Sequence, residues 1–274
     1  MSKIIAFTNQ KGGVGKTTSC VNLAAYVAVM GKKVLVVDLD PQGNATSGFG
    51  VEKTKGLKTV YDLVDEECSL EEAVLPTMID GLDIIPATVD LAAAEISLVS
   101  KPQREKLLKN ILTPLKEVYD FIMIDCQPSL GLLTVNALTA ADSVIIPMQC
   151  EFYALDGLTQ LMNTITLVKF HLNPDIDIEG VVRTMKDNRS NLINQVSQEI
   201  IKFFKSKVFS TYIPRNIRLA EAPSHGLPII LYDPSSKGAE AYLSLAEELL
   251  DRNKISYKTI TKSTKINLRE VKKK

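Results

Sequence analysis

Gln10-Lys11-Gly12-Gly13-Val14-Gly15-Lys16-Thr17-Thr18 carries two lysines where a phosphate-binding loop needs one. The ordinary loop is Gly, four residues, then Gly-Lys-Ser/Thr. Gly15, Lys16 and Thr17 supply its second half, whereas Gln10 stands where the first glycine belongs and Lys11 follows it. Lys16 is placed to neutralise the β and γ oxygens of a nucleotide, and the Thr17 hydroxyl to ligate Mg²⁺. The three glycines let the backbone of Lys11 to Thr18, Val14 included, approach phosphate without Cβ obstruction. Lys11 then needs another role. One role is to reach the nucleotide of a second subunit, which would tie ATP to dimerisation.

The flanks of this loop suit phosphate. Ile4-Ile5-Ala6-Phe7 is an apolar run of the kind found in buried strands. After Lys16, Val21, Leu23, Ala24, Val27 and Ala28 recur at helical spacing, and Gly31 is a stop. Strand, glycine loop and helix bring backbone N–H groups and a helix N-terminus onto one anion.

Strand-like runs then alternate with helical patterns. Strands are expected at 33–38, 82–86, 119–125, 143–147, 178–182, 208–213 and 228–231, and helices near 59–66, 90–117, 129–141, 154–172, 189–205 and 237–250. This alternation predicts a doubly wound α/β fold, a mostly parallel sheet with helices on both faces. The strands are continuous apolar runs, as expected where both sheet faces are covered.

The chain has 274 residues and 45% hydrophobic content, enough for a large core. No run of 18 apolar residues predicts a transmembrane helix, and the strand-like start argues against a secretory leader. Cys20, Cys68, Cys126 and Cys150 lack metal-ligand spacing and read as reduced thiols. A net charge of zero hides an asymmetry: residues 251–274 hold nine Lys and Arg against two acids, which leaves residues 1–250 at −7. We read residues 1–250 as one ATPase domain and 251–274 as a basic, disordered tail.

Ligands of doubly wound sheets gather at the carboxyl ends of the strands. Asp38 and Asp40 close the second expected strand in Val37-Asp38-Leu39-Asp40-Pro41-Gln42-Gly43-Asn44, and Asp125 closes the one ending at residue 125. Asp125 is expected to hold Mg²⁺ directly or through water. Asp40 lies beyond its strand, where a carboxylate can orient or deprotonate the attacking water. Asp38 is then a structural or magnesium-shell residue.

Together these segments resemble the deviant-Walker ATPases that partition DNA, the ParA/Soj type, related to MinD. The resemblance rests on Lys11 to Thr18, Asp38 to Asn44, Ile124-Asp-Cys-Gln-Pro-Ser-Leu-Gly131, Pro147 to Leu158, Ile213-Pro-Arg-Asn216 and Glu221 to Ile229, and it covers about residues 2–250. It implies that Lys11 contacts the partner's nucleotide in an ATP-sandwich homodimer, with Gly12 at the tight interface. It also implies that Asp40 is needed for hydrolysis, that Pro214 and Asn216 line the adenine, and that Arg189 and Arg218 contact DNA. Lys202, Lys205 and Lys207 are further DNA candidates in neighbouring segments. The implied cofactors are ATP and Mg²⁺, the implied partners are non-specific DNA and a ParB-like protein, and the implied location is the cytoplasm, on the nucleoid. One departure stands out: Gln127 replaces the first proline of the family's Pro-Pro after Asp125-Cys126.

The rival within the family is a MinD-like membrane-positioning ATPase. That requires an amphipathic C-terminal helix, and the apolar residues of 255–274 form no stripe of useful width. An iron–sulfur electron-transfer ATPase would need paired bridging cysteines, a pattern that Cys126 and Cys150 do not match. A sequence-specific regulator would need an N-terminal helix-turn-helix, and none precedes the first strand. No catalytic role is assigned to His171 or His225. Tyr26, Phe203 and Phe204 fit helix faces and are expected in the core.

Overall fold

The computed structural model describes residues 2–151, 156–187, 189–261, 264 and 266–269. Eight strands form one sheet: β1 (Lys3–Phe7), β2 (Val34–Leu39), β3 (Leu75–Pro76), β4 (Leu82–Ile85), β5 (Phe121–Cys126), β6 (Ser143–Gln149), β7 (Asp177–Lys186) and β8 (Val208–Pro214). Their order is β3-β4-β2-β5-β1-β6-β7-β8, parallel except where β3 meets β4. The helices are α1 (Lys16–Val29), α2 (Asn44–Gly48), α3 (Val60–Val64), α4 (Leu70–Ala73), α5 (Ala94–Ser97), α6 (Leu107–Leu112), α7 (Leu132–Ala140), α8 (Asp156–His171), α9 (Asn191–Phe204), α10 (Ile217–Glu221), α11 (Ile229–Tyr232) and α12 (Lys237–Arg252).

The two-residue period of a strand explains how apolar runs serve two cores. On β1, Ile5 and Phe7 face the core built with α1 and α12, whereas Ile4 and Ala6 face the core built with α3 and α7. On β5, Phe121 and Met123 join the first core, Ile122 and Ile124 the second. A third cluster, around Ile146, Leu161 and Ile200, lies beneath α8 and α9. Each fully buried Leu, Ile, Val or Phe contributes roughly 1.5–3 kcal/mol. This is why the central strands tolerate no alternation of polar residues.

Several expectations need correction. Pro228-Ile229-Ile230-Leu231 is not a strand: Ile229–Tyr232 is a single helical turn, and Ile229 N donates to Asn22 Oδ1 of α1 at 2.7 Å. The stretch 90–117 is not one helix but α5, α6 and short 3₁₀ turns, interrupted near Pro102 and by Pro114. The expected helix over 154–172 starts at Asp156, and residues 154 and 155 lie outside those described. Tyr26 and Phe204 are buried, but Phe203 is 62% exposed.

The tail differs most. Helix α12 runs past residue 250 to Arg252, and the described residues beyond it lie against the body. Ile255, Tyr257, Ile260 and Ile266 pack on the first core, and Lys258 N donates to Met30 O at 3.1 Å. Leu268 pairs with Ile79 in an isolated antiparallel bridge. Arg269 places Nη1 2.6 Å from Asp83 and Nε 3.1 Å from Asp80. For the described residues, the disordered extension becomes a strap held by apolar packing and two acids.

Candidate nucleotide site

Strand register assembles the site. On β1, β5 and β2, Phe7 lies beside Asp125, and Asp125 beside Asp38. The phosphate loop leaves β1 just beyond Phe7, so it arches over the carboxylate that ends β5. Gly13 and Gly15 take φ of 74° and 86°, the left-handed region that glycine enters without cost. Gly15 is also the N-cap of α1, which aims the helix N-terminus into the loop.

Lys16 is only 6% exposed. Its Nζ donates to the Lys11 carbonyl at 3.1 Å, so the ammonium is folded into the loop. Burial lowers its pKa, and the negative field of Asp125 opposes that. Asp38 is fully buried. Its Oδ2 accepts from Thr46 N at 2.8 Å and Thr46 Oγ1 at 2.7 Å, and its Oδ1 accepts from Asp40 N at 3.3 Å. Asp38 therefore organises the turn that carries Asp40, and all its bonds go to protein donors. This favours the structural role over the magnesium-shell role. The Asp40 carboxylate accepts from Gln42 N at 2.9 Å and is 7% exposed.

Asp125 is the outlier. It is completely buried, and among the described residues neither carboxylate oxygen makes a well-formed hydrogen bond, the Thr17 hydroxyl being the one donor that bears on it. Burial drives its pKa well up and Asp38 adds to this, while the Thr17 hydroxyl and Lys16 pull it down. A buried carboxylate without donors is costly unless a cation or its waters complete it. Gln10 Oε1 and Thr8 Oγ1 are buried and unpaired in the same neighbourhood of the chain. The residues thus fit Mg²⁺: the Thr17 hydroxyl and the Asp125 carboxylate, directly or through water, would hold the ion, which would supply charge neutralisation for a bound phosphate. Among the described residues no cluster of three His, Cys, Asp or Glu could hold a metal unaided, as suits an ion bound largely by nucleotide and water.

Three residues of this site were not singled out from sequence. Asn9 bridges β1 to β6, its Nδ2 donating to Pro147 O at 2.8 Å and its Oδ1 accepting from Lys11 N at 3.0 Å. Thr184 of β7 donates to Val14 O at 2.7 Å. Glu151 holds the Lys11 ammonium at 2.6 Å. The two lysines therefore have opposite settings: Lys16 is buried in the loop, and the Lys11 side chain is 40% exposed and paired outside it. Asn and Thr at loop flanks carry no sequence periodicity, and a pair separated by 140 residues carries none either.

The adenine candidates follow β8. Pro214 lies beside Lys186 at the carboxyl ends of β8 and β7, and Asn216 caps α10 through a bond from Arg218 N at 2.9 Å. Thr184, on β7 beside this end, touches the phosphate loop, so Pro214 and Asn216 stand one strand further out.

The cationic residues divide. Arg189 follows β7 and Arg218 follows β8, so both occupy the carboxyl rim of two adjacent strands. Lys205 and Lys207 precede β8, at its amino end. Seven residues of strand separate the ends by about 20 Å at ~3.3 Å per residue. The direction of β8 thus sets Lys205 and Lys207 at the opposite end of that strand from Arg218. Several of these cations also carry local acids: Arg189 with Asp187 at 2.7 Å, Arg218 with Glu221 at 2.9 Å, Lys207 with Asp177 and Lys202 with Glu199, each at 2.6 Å. Arg215, which sequence reasoning missed, is exposed on the Arg189–Arg218 rim and has no ion pair among the described residues.

A parallel sheet, a glycine loop with two lysines in opposite settings and an unsatisfied buried aspartate define a phosphate-loop ATPase of the deviant-Walker class. A family model described as an AAA domain matches residues 2–178. The sporulation initiation inhibitor protein Soj of Bacillus subtilis (strain 168) is 60% identical over 249 residues, 91% of this chain and 98% of its own length. The chromosome partitioning protein ParA of Myxococcus xanthus (strain DK1622) is 52% identical over 253 residues, 92% of this chain and 89% of its own length. Among solved structures, the cobyrinic acid a,c-diamide synthase of Mycobacterium smegmatis with bound ADP and magnesium superposes with a TM-score of 0.81 at 36% identity, covering 95% of this chain and all of that one. The chain belongs to the ParA/Soj family of ATPases.

Proposed function

We propose that this protein is an ATP-driven dimerising switch that holds DNA without sequence preference and segregates a chromosome or plasmid with a ParB-like partner. The observation that carries the reading is the opposite setting of the two lysines, Lys16 buried in the loop and Lys11 paired outside it with Glu151. Lys16 serves its own subunit's phosphates. Lys11, half-buried and paired among the described residues with Glu151, is available to a second subunit's nucleotide once that pair exchanges. An exposed pair of this kind is worth about 0–1 kcal/mol, so a polyphosphate can displace it readily.

In the closed dimer, Asp40 orients water and accepts its proton. Asp125 and Thr17 would hold the Mg²⁺ shell, and the ion would supply charge neutralisation at the phosphate oxygens. Hydrolysis reopens the dimer, and the ParB-like partner accelerates that step. Pro214 and Asn216 line the adenine. DNA lies along the rim formed by Arg189, Arg215 and Arg218, with Lys205 and Lys207 as outlying contacts. The acids beside these arginines do not exclude the role, because such surface pairs are weak and phosphate displaces them. Doubling a weak rim on dimerisation makes DNA affinity follow ATP. Among the described residues no helix is long and apolar enough to cross a membrane, and no helix follows Arg252.

The test is DNA binding with and without ATP, alongside binding to anionic liposomes. DNA retention should appear only with ATP and fall steeply with salt, with the protein staying off vesicles. ATP-dependent vesicle binding without DNA retention would replace this reading by the membrane one. Arg189→Glu with Arg218→Glu should weaken DNA binding by at least about tenfold, since each lost phosphate contact removes counterion release, and should leave the ATP dimer intact. Unchanged gel shifts would move the interface off this rim.

A further inference from the structure

Gln127 breaks the family's proline pair, and its side chain is committed. Its Nε2 donates to Glu95 Oε1 at 2.8 Å. The Glu95 carboxylate, reaching over from α5, also accepts from Leu132 N at 3.1 Å and Leu133 N at 3.4 Å, the first backbone donors of α7. The N-cap of α7 is Gly131, which has no side chain to do this. Glu95 therefore caps α7 from a distant segment and holds Gln127 in the same grip. The fit is close: a Cβ on Gly131 would fall 2.5 Å from Glu95 Oε1.

The segment between these anchors is the loop 127–131, which leads directly from Asp125 and Cys126 to α7. It is tied internally, Ser129 N donating to Gln127 O at 2.9 Å and Thr134 Oγ1 donating to Ser129 O at 2.7 Å. It runs close to the phosphate loop: Pro128 Cβ lies 4.0 Å from where a Cβ on Gly12 would stand. Whatever fixes residue 127 therefore fixes both the exit of Asp125 and the surface facing Gly12. A proline fixes residue 127 through its ring. Glutamine frees the backbone, and in this chain a side-chain bond to a carboxylate takes over.

We propose that Gln127 and Glu95 are positioning residues for ATP hydrolysis, a hydrogen-bonded brace that replaces a proline in holding the 127–131 loop against Gly12. The pair acts by keeping Asp125 and the Gly12 face in register when the loop closes. This rests on the ATPase activity alone and is independent of the DNA and partner readings.

The experiment is steady-state Mg²⁺-ATP hydrolysis by the full chain, with ATP affinity and melting temperature measured on the same samples. Gln127→Ala should lower kcat about five- to tenfold, as expected for a loss of orientation, while ATP affinity, KM and melting temperature stay near wild type. Gln127→Pro should restore kcat to within about twofold, because the ring replaces the lost bond. Glu95→Ala should slow turnover similarly, and adding Gln127→Ala to it should cost nothing further, because the two act as one unit. The proposal is overturned if Gln127→Ala turns over at the wild-type rate, if Gln127→Pro is as slow as the alanine variant, if the two substitutions multiply in kcat, or if the affinity and stability of Gln127→Ala fall with its kcat.

Discussion

Lys16→Ala should abolish ATP binding. The side chain is buried within the loop, its ammonium 3.1 Å from the Lys11 carbonyl and in the field of Asp125 and Asp40. In that setting it is the cation that its own subunit brings to the phosphates. Three buried aspartates lie in the same region, so without Lys16 a polyphosphate would meet the loop's N–H groups but no buried cation of its own subunit there. Removing one member of a desolvated charge pair costs roughly 2–5 kcal/mol, and each 1.4 kcal/mol is about tenfold in affinity. ATP affinity should thus fall by at least about a hundredfold, in titration calorimetry or with a fluorescent nucleotide. A folded variant that binds ATP like wild type would remove the loop assignment, and the switch with it.

Asp40→Ala should separate binding from chemistry. Asp40 sits beyond the end of β2, its backbone fixed by Asp38 and its carboxylate steadied by Gln42 N. Asp38, in turn, is held by both donors of Thr46, so the turn should survive loss of the Asp40 side chain. A base or water-orienting carboxylate contributes about 10²–10⁴ in rate. Phosphate release should drop at least about a hundredfold while ATP affinity changes little, and with ATP the variant should elute as a dimer that retains DNA. Persistent hydrolysis would assign the water to another group, and a variant that stays monomeric with ATP would break the link between hydrolysis and reopening.

What was legible in the sequence was whatever strong local patterns encode. The apolar runs of β1, β2, β5 and β6 and the loop after β1 announced the sheet and the site, because burial on both faces forbids alternation. The four residues 228–231 misled because a short apolar run has no period to read. Only the bond from Ile229 N to Asn22, 207 residues away, and the packing on α1 make it a helical turn. The strap was missed for the same reason: Arg269 finds its acids 186 and 189 residues upstream, where no composition argument looks. The basic candidates were each readable, but their separation depends on which end of β8 each one flanks. Gln127 was visible as a departure, while its partner Glu95 required the fold.

The central claim is that Lys11 belongs to the neighbour's ATP. Its most direct test is the mass in solution of Lys11→Ala, placed in the Asp40→Ala background so that hydrolysis cannot reopen a dimer, measured with saturating Mg²⁺-ATP by light scattering. The variant should bind ATP and remain a monomer, whereas Asp40→Ala alone should be a dimer. A full dimer without Lys11 would contradict the account.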